Sequence, residues 1–411
     1  MGCLGLMRRK ILLGCAVAAL FGYIVWRGAH RGNDFKYPYL VAQALWRTGK
    51  LHVWAQPRYP VTWHVLLAPL AALPIGHAAA AWAVLSFAAV AALPRMLERL
   101  SGLSPRQQVP AWVVVLPCLV DALVLGQSDP INLFLVSAGL VAARRGRPVA
   151  GVGLVGLAGM IKVLPVVHWA TIVSRRRSPG VWAGMVLTVL LGLGLVVAAV
   201  GWEGAWAGFG EQFAWIRDHE KPWHLVARRS DLRVNNESLP IVLARTLGDL
   251  GFRPPRPAVA LGLVPLDVIW TAWAVVLAVL AITWLACVRP TNAPATPTPR
   301  AWLGTFALTS ILMLAGTPIC WHHYFLWLLP ATLFLAHRRR LLAVAASVSL
   351  LGTAFPVARG LGCHMFLALG LFGVVARDLR RIARDPIRLA TPAPRPRANI
   401  AGPVRERPVG S

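Results

Sequence analysis

Residues 144–177 read RRGRPVAGVGLVGLAGMIKVLPVVHWATIVSRRR, and the placement of their charges decides how the rest of the chain is threaded. Arginines close both ends, and the apolar stretch between them holds one lysine, Lys162, followed by Val163-Leu164-Pro165. A single crossing would put the two arginine clusters on opposite faces of a membrane, against the retention of Lys and Arg on the cytoplasmic side. A hairpin turning at Lys162-Val163-Leu164-Pro165 keeps them on one face. Each arm is then too short to cross comfortably, so the break belongs inside protein or a water-filled cavity, where its backbone groups find partners.

The whole chain fits a membrane. Its 411 residues are 57% hydrophobic and 14% charged, too few polar residues to cover a soluble globule of that length. A single cytosolic enzyme domain is excluded, as is a disordered or collagen-like chain, because the apolar residues form long uncharged blocks. The formal charge of +27 comes from arginines in short clusters between those blocks. That is the pattern of cytoplasmic loops, and no nucleic-acid partner is expected. The six cysteines form no CxxC pair, so neither a disulfide framework nor a zinc site is indicated. Arg8-Arg9-Lys10 before apolar 11–26 starts like a signal peptide, yet no small-residue cleavage site follows, which reads as an uncleaved first helix.

An apolar helix needs roughly 20 residues to span the hydrocarbon core. Spans are expected near 11–26, 78–94, 109–125, 130–143, 181–200, 258–286, 301–317, 324–337, 341–357 and 364–376. With the two hairpin arms this makes an all-α integral membrane protein of about 12 transmembrane segments, occupying residues 1–377. The arginine clusters at 8–10, 95–106, 144–147, 175–177, 289–300, 338–340 and 377–388 then all face the cytoplasm, together with both termini. The outer face receives 27–77, 126–129, the Lys162 turn, 201–257, 318–323 and 358–363. In the first outer loop, 27–77, an amphipathic run from Lys36 to Trp46 predicts an interfacial helix, and apolar 61–73 a second surface helix. Residues 289–300 read as a linker, and 378–411 as a disordered basic tail beside membrane lipid.

Polar residues rare in the apolar blocks collect on the outer face. Lys162 either snorkels to the interface or, at membrane depth, serves an anion. Asp34 either caps the helix after it or acts as a base. Asp121 and Asp129 bracket Gly126-Gln127-Ser128, and either could pair with Lys162 or cap a helix. Trp321-His322-His323 follows Thr317-Pro318 at a helix end. Adjacent histidines project about 100° apart, so they make a poor metal site without a third group. Asn235-Asn236-Glu237-Ser238 opens a helix running to Arg245. The loop around it carries Trp215, Trp223, Arg217, Arg228, Arg229 and Arg233, suited to stacking on sugar faces and pairing with phosphate.

Several of these runs together resemble glycosyltransferase family 87. They are Asp34…Tyr37…Ala42…Leu45…Gly49, Tyr59-Pro60, Ala68-Pro69-Leu70-Ala71…Leu73-Pro74, Gly126-Gln127, Ile161-Lys162-Val163-Leu164-Pro165, Asn235-Asn236-Glu237-Ser238-Leu239…Arg245 and Thr317-Pro318-Ile319-Cys320-Trp321-His322-His323. The resemblance implies a GT-C-type helical fold and transfer of mannose or a similar hexose from a polyprenyl-phosphate donor. The acceptor would be a lipid-linked or cell-envelope glycan on the extracytoplasmic side; no cofactor is expected, and no metal either, since the outer segments show no paired Asp/Glu cluster. It further implies Asp34 as general base in an inverting reaction, with Lys162, His323 and His322 at the donor phosphate. Tyr37, Tyr59, Gln127, Asp129, Asn235, Asn236, Arg245 and Trp321 would contact substrate. The chain departs from the family pattern at Val61, at Ser128-Asp129 and in the spacing of the histidines after Trp321, which favours His323 over His322. Two other readings of the residues stay open: a lipid or anion carrier, since a broken hairpin bearing a lysine suits both, and a non-catalytic assembly subunit.

Overall fold

Helix α9, Pro179–His219, is 41 residues long and would extend about 60 Å if straight, more than a bilayer needs. It breaks at Gly201, whose φ of 74° and ψ of 172° suit glycine. The structure is a computed structural model that describes residues 2–30, 34–51, 59–219, 232–233, 235–250, 261–288 and 298–384. Among these residues there is no strand, only two isolated bridges. The other helices are α1 Gly2–His30, α2 Lys36–Thr48, α3 Val61–Ala71, α4 Ile75–Ser101, α5 Pro105–Val124, α6 Asp129–Arg144, α7 Pro148–Ile161, α8 Trp169–Arg175, α10 Leu239–Leu247, α11 Leu266–Val288, α12 Pro299–Gly316, α13 Leu329–Phe334, α14 Arg339–Ala354, α15 Pro356–Gly360 and α16 Cys363–Arg384. Two 3₁₀ turns, Leu164–His168 and His322–Leu328, interrupt them. Of the described helices, α4, α5, α9 and α11 are long and apolar enough to cross a membrane.

Local chemistry sets several boundaries. Ser104 and Gln107 form a capping box around Pro105 at the start of α5. Thr298 accepts from the Ala301 amide at the start of α12. Gly49, with φ 65°, stops α2 by donating to the Leu45 carbonyl. Helix α12 is apolar all round, and it sits in the centre of the main core, packed by α4, α8, α11, α13 and α16. A smaller cluster of Phe35, Tyr39, Trp63 and Trp82 joins α2, α3 and α4, with the Phe35 and Trp82 rings stacked at 5.6 Å.

The 148–174 segment is a hairpin. Helix α7 ends at Ile161, Lys162 is extended, and the 3₁₀ turn and α8 return the chain. Both arms finish on one side, because Nη2 of Arg176 lies 3.7 Å from where a Cβ on Gly146 would sit.

Several boundaries differ from expectation. The stretch 201–219, expected as loop, is helical because α9 resumes after Gly201. The span expected over 258–286 begins only at Leu266, and 324–337 is a 3₁₀ turn followed by a six-residue helix. Helix α3 is no surface helix, since α2, α4, α7 and α9 bury it. Helix α16 carries residues 378–384 of the expected tail. Trp223, Arg228, Arg229, the linker residues 289–297 and the tail from 385 onward lie outside the described residues.

Helices α6 and α7 touch backbone to backbone at Gly139 and Gly151. A Cβ at Gly151 would fall 2.7 Å from the Gly139 carbonyl oxygen, and one at Gly139 would fall 2.6 Å from that of Gly151. Substituting Gly151→Val is therefore expected to separate the hairpin from α6 and to destabilise the protein by about 1–3 kcal/mol, read as a lower thermal midpoint in detergent.

Candidate active site

Helix ends converge on one cavity of about 620 Å³. Its wall on the α1–α2 side carries Arg27, Asp34, Tyr37 and Tyr59; α5 and its C-terminal turn contribute Asp121, Leu125 and Gln127. The hairpin tip supplies Lys162, and the remaining wall is Arg233, Asn235, Trp321, His322, His323, Tyr324 and Arg359. Sequence reasoning expected nine of these at a site: Asp34, Tyr37, Tyr59, Gln127, Lys162, Asn235, Trp321, His322 and His323.

Asp34 does not cap α2, whose N-cap position is Phe35 and makes no side-chain cap bond. Its amide donates to the Leu125 carbonyl at 2.9 Å, and its carboxylate accepts from Gln127 Nε2. Gln127 is aimed by the end of α5: Gly126, with φ 66°, reverses the chain while the Gln127 amide donates to the Ala122 carbonyl. Burial raises the Asp34 pKa above the ordinary carboxylate value, and the Gln127 bond and the Lys162 charge partly offset this. Tyr59, fully enclosed, has its phenol pKa raised by burial and by the Asp34 carboxylate. Gln212 of α9 clamps that turn, donating to the Tyr59 carbonyl at 2.6 Å and accepting from the Val61 amide at 3.4 Å.

On the opposite wall, Lys162 Nζ lies 2.8 Å from Asp129 Oδ2 and 3.7 Å from the centroid of the Tyr324 ring. The other Asp129 oxygen accepts from Trp327 Nε1 at 2.9 Å. His322 is engaged on both nitrogens, Nδ1 at 3.3 Å from Asp121 and Nε2 at 3.1 Å from Thr353 Oγ1. His323 sits between two carboxylates, 3.8 Å from Asp121 and 3.9 Å from Asp129, and neither ring nitrogen makes a hydrogen bond.

Three expected substrate contacts do not line the cavity and are bonded within the protein. Asp129 is 1% exposed and spent on Lys162 and Trp327. Asn236 is fully buried, its Oδ1 accepting from the amides of Ser238 and Cys320, which stitches α10 to the Thr317–Trp321 segment. Arg245 is fully buried too, donating to the carbonyls of Leu232, Arg233, Asn236 and Gly360. A buried guanidinium in an apolar protein looks identical in sequence whether it binds ligand or backbone.

Arg27 and Arg359 are cavity residues that sequence reasoning missed. Both belong to segments, 27–77 and 358–363, that the arginine clusters were expected to leave on one face with Asp34 and the Lys162 turn. Arg359 is fixed by the carbonyls of Gly352 and Thr353 and by Asn235 Oδ1 at 2.9 Å. Beneath the cavity His322 also has the third group that the sequence lacked, since Cys118, His322 and His364 bring ligand atoms within 4.8 Å of one another. His364, however, faces the Glu237 carboxylate with Nδ1 at 2.9 Å and the Ser349 carbonyl with Nε2 at 3.2 Å, so a metal would have to displace one of those bonds.

The cavity therefore sets a hydrogen-bonded carboxylate of raised pKa within one enclosure that also holds a lysine, three arginines and two histidines. Such a set of groups has the chemistry to attract an anion and to take a proton from a neighbouring hydroxyl. No curated protein matches the chain. Among solved structures it is similar to ArnT from Cupriavidus metallidurans in the apo state, with 16% identity, a TM-score of 0.35, and coverage of 90% of this chain and 78% of that one. The family model of glycosyltransferase family 87 matches residues 58–318, well over half of the chain. That segment runs through Tyr59, Gln127, Lys162 and Asn235 to Pro318, and the chain belongs to glycosyltransferase family 87.

Proposed function

We propose that this membrane glycosyltransferase moves mannose or a similar hexose from a polyprenyl phosphate to a lipid-linked or cell-envelope glycan, with inversion and on the extracytoplasmic face. The observation that carries the reading is the shared cavity of Asp34, Lys162 and His323. Asp34 takes the proton of the acceptor hydroxyl as that oxygen attacks the anomeric carbon. The C1–O bond to phosphate breaks, and the polyprenyl phosphate leaves with the bonding pair. Lys162 and His323 stabilise the charge gathering on that phosphate, while His322 holds Asp121. His323 suits the phosphate better than His322, because its ring nitrogens are uncommitted. Arg27, Arg233 and Arg359 add positive charge to the rim and favour an anionic donor. Tyr37, Tyr59, Asn235 and Trp321 offer hydroxyl, amide and ring surfaces to the sugars.

The proposed topology is GT-C-type, with about 12 membrane segments, both termini cytoplasmic and residues 1–377 as the catalytic unit. The basic tail would start after α16 and not within it.

In membranes supplied with labelled polyprenyl-phosphate-mannose, Asp34→Asn is expected to lose transfer by roughly 10²–10⁴-fold while donor binding persists. Unchanged transfer would sink the proposal, and substrate movement without a new glycosidic bond would favour a carrier.

Gln127→Leu removes a bond that lowers the Asp34 pKa, so the Asp34 pKa should rise further. Because the ionised base is the active form, the acid limb of the pH–rate profile is expected to move to higher pH, with activity recovering at alkaline pH. A limb that stays in place would exclude Asp34 as the titrating base.

Arg245→Leu leaves buried carbonyls without donors. It is expected to lower stability by about 3 kcal/mol with an unaltered KM for the protein that folds, which separates a structural arginine from a binding one.

A further inference from the structure

At the other end of the bundle a second hollow, of about 260 Å³, is lined by Arg99, Val141, Arg144 and Arg145. Helix α6 runs 16 residues from Asp129, the partner of Lys162, to Arg144, so the hollow lies roughly 24 Å along that axis from the lysine. Its guanidinium groups come from two helices. Arg99 belongs to the last turn of α4, Arg144 to the last turn of α6, and Arg145 follows it. Arg144 Nη1 donates to the Arg99 carbonyl, which anchors one guanidinium against the wall and occupies a free carbonyl at the end of α4.

Among the described residues no carboxylate lies within 4.0 Å of these three arginines. The two helix C-termini that meet here carry about half a negative charge each, together roughly one against three positive charges. Helix dipoles therefore explain the presence of some arginine but do not balance this cluster. The positive-inside pattern explains which face the arginines occupy, yet it does not require side chains from separate helices to border one concave space.

We propose that this hollow binds the phosphate of an anionic phospholipid headgroup from the leaflet at that end of the bundle. A phosphodiester supplies the missing negative charge, and its oxygens match the fork of donors on each guanidinium. The site lies between the ends of α4 and α6 and has Val141 in its wall, so a headgroup can enter while its acyl chains remain beside the apolar helices. A soluble anion would gain the same charge contacts but nothing from the apolar surroundings.

The test uses the full-length protein in detergent and counts bound lipid by native mass spectrometry, with phosphatidylglycerol and phosphatidylcholine offered in turn. The double variant Arg99→Gln/Arg145→Gln changes two exposed residues of the hollow. Arg339→Gln/Arg340→Gln removes the same charge from the exposed start of α14 and serves as control. Phosphatidylglycerol should be retained over phosphatidylcholine, about tenfold more weakly by the first variant and within about twofold of the parent by the control. Equal losses in both variants would mean bulk charge alone and would overturn the proposal. So would retention without preference for phosphatidylglycerol, or displacement of the lipid by millimolar inorganic phosphate.

Discussion

The ion pair between Lys162 and Asp129 holds the active end of the molecule together. Both partners are almost wholly buried, and such a pair gains little net stability, because removing two charges from water costs about as much as their attraction returns. What it fixes is position. Lys162 terminates α7, Asp129 begins α6, and Trp327 from the 3₁₀ turn after Trp321 binds the second Asp129 oxygen. Three separate chain segments are thereby tied to one carboxylate, and the lysine is held at the cavity wall instead of turning to the interface. Losing Asp129 would leave a buried ammonium without its partner, whereas losing a rim arginine would leave only weaker attraction for an anion.

The other irregular stretches gather around the same place. The turn after α5, the extended Lys162, the Thr317–Trp321 segment and the α14–α15 break are all backbone that a lipid environment would not tolerate uncovered. Each finds its partners within protein: the Gln127 amide at Ala122, the Lys162 amide at Ala158, Cys320 at Asn236, and Gly352 and Thr353 at Arg359. Asn236 and Arg245 belong to this bracing, their side chains bonded to backbone amides and carbonyls. Catalytic geometry at a membrane surface requires non-helical chain, and non-helical chain requires buried donors and acceptors to complete it.

Much of this was legible in the sequence. The arginines flanking 148–174 implied a hairpin with Lys162 at its tip, since charge placement is a long-range constraint written directly into residue order. Asp34, Gln127 and His323 were legible through their motifs. Less legible were features set by packing. Nothing in apolar 61–73 distinguishes a helix on the surface from one roofed by α2 and α9. Nor did Asp121 and Asp129 declare their partners, because the two carboxylates, eight residues apart, lie on either side of a chain reversal at Gly126, and only packing brings Asp129 to the lysine. Arg27 and Arg359 were missed because nothing in their local sequence separates a cavity arginine from one in an ordinary loop; only the packing brings them beside Asp34 and Asn235.

The cavity's two acidic residues differ in what surrounds them. Asp121 faces two imidazoles, His322 at 3.3 Å and His323 at 3.8 Å. Asp34 meets a neutral amide donor at close range and feels Lys162 only as a weaker influence. A carboxylate paired with an imidazole has lone pairs engaged; one held by a single amide keeps lone pairs for a hydroxyl proton. Burial then raises the basicity of Asp34 further. The same enclosure can thus contain one carboxylate that organises histidines and another that accepts protons. The aspartate beside Gln127 is the one whose surroundings fit the second task.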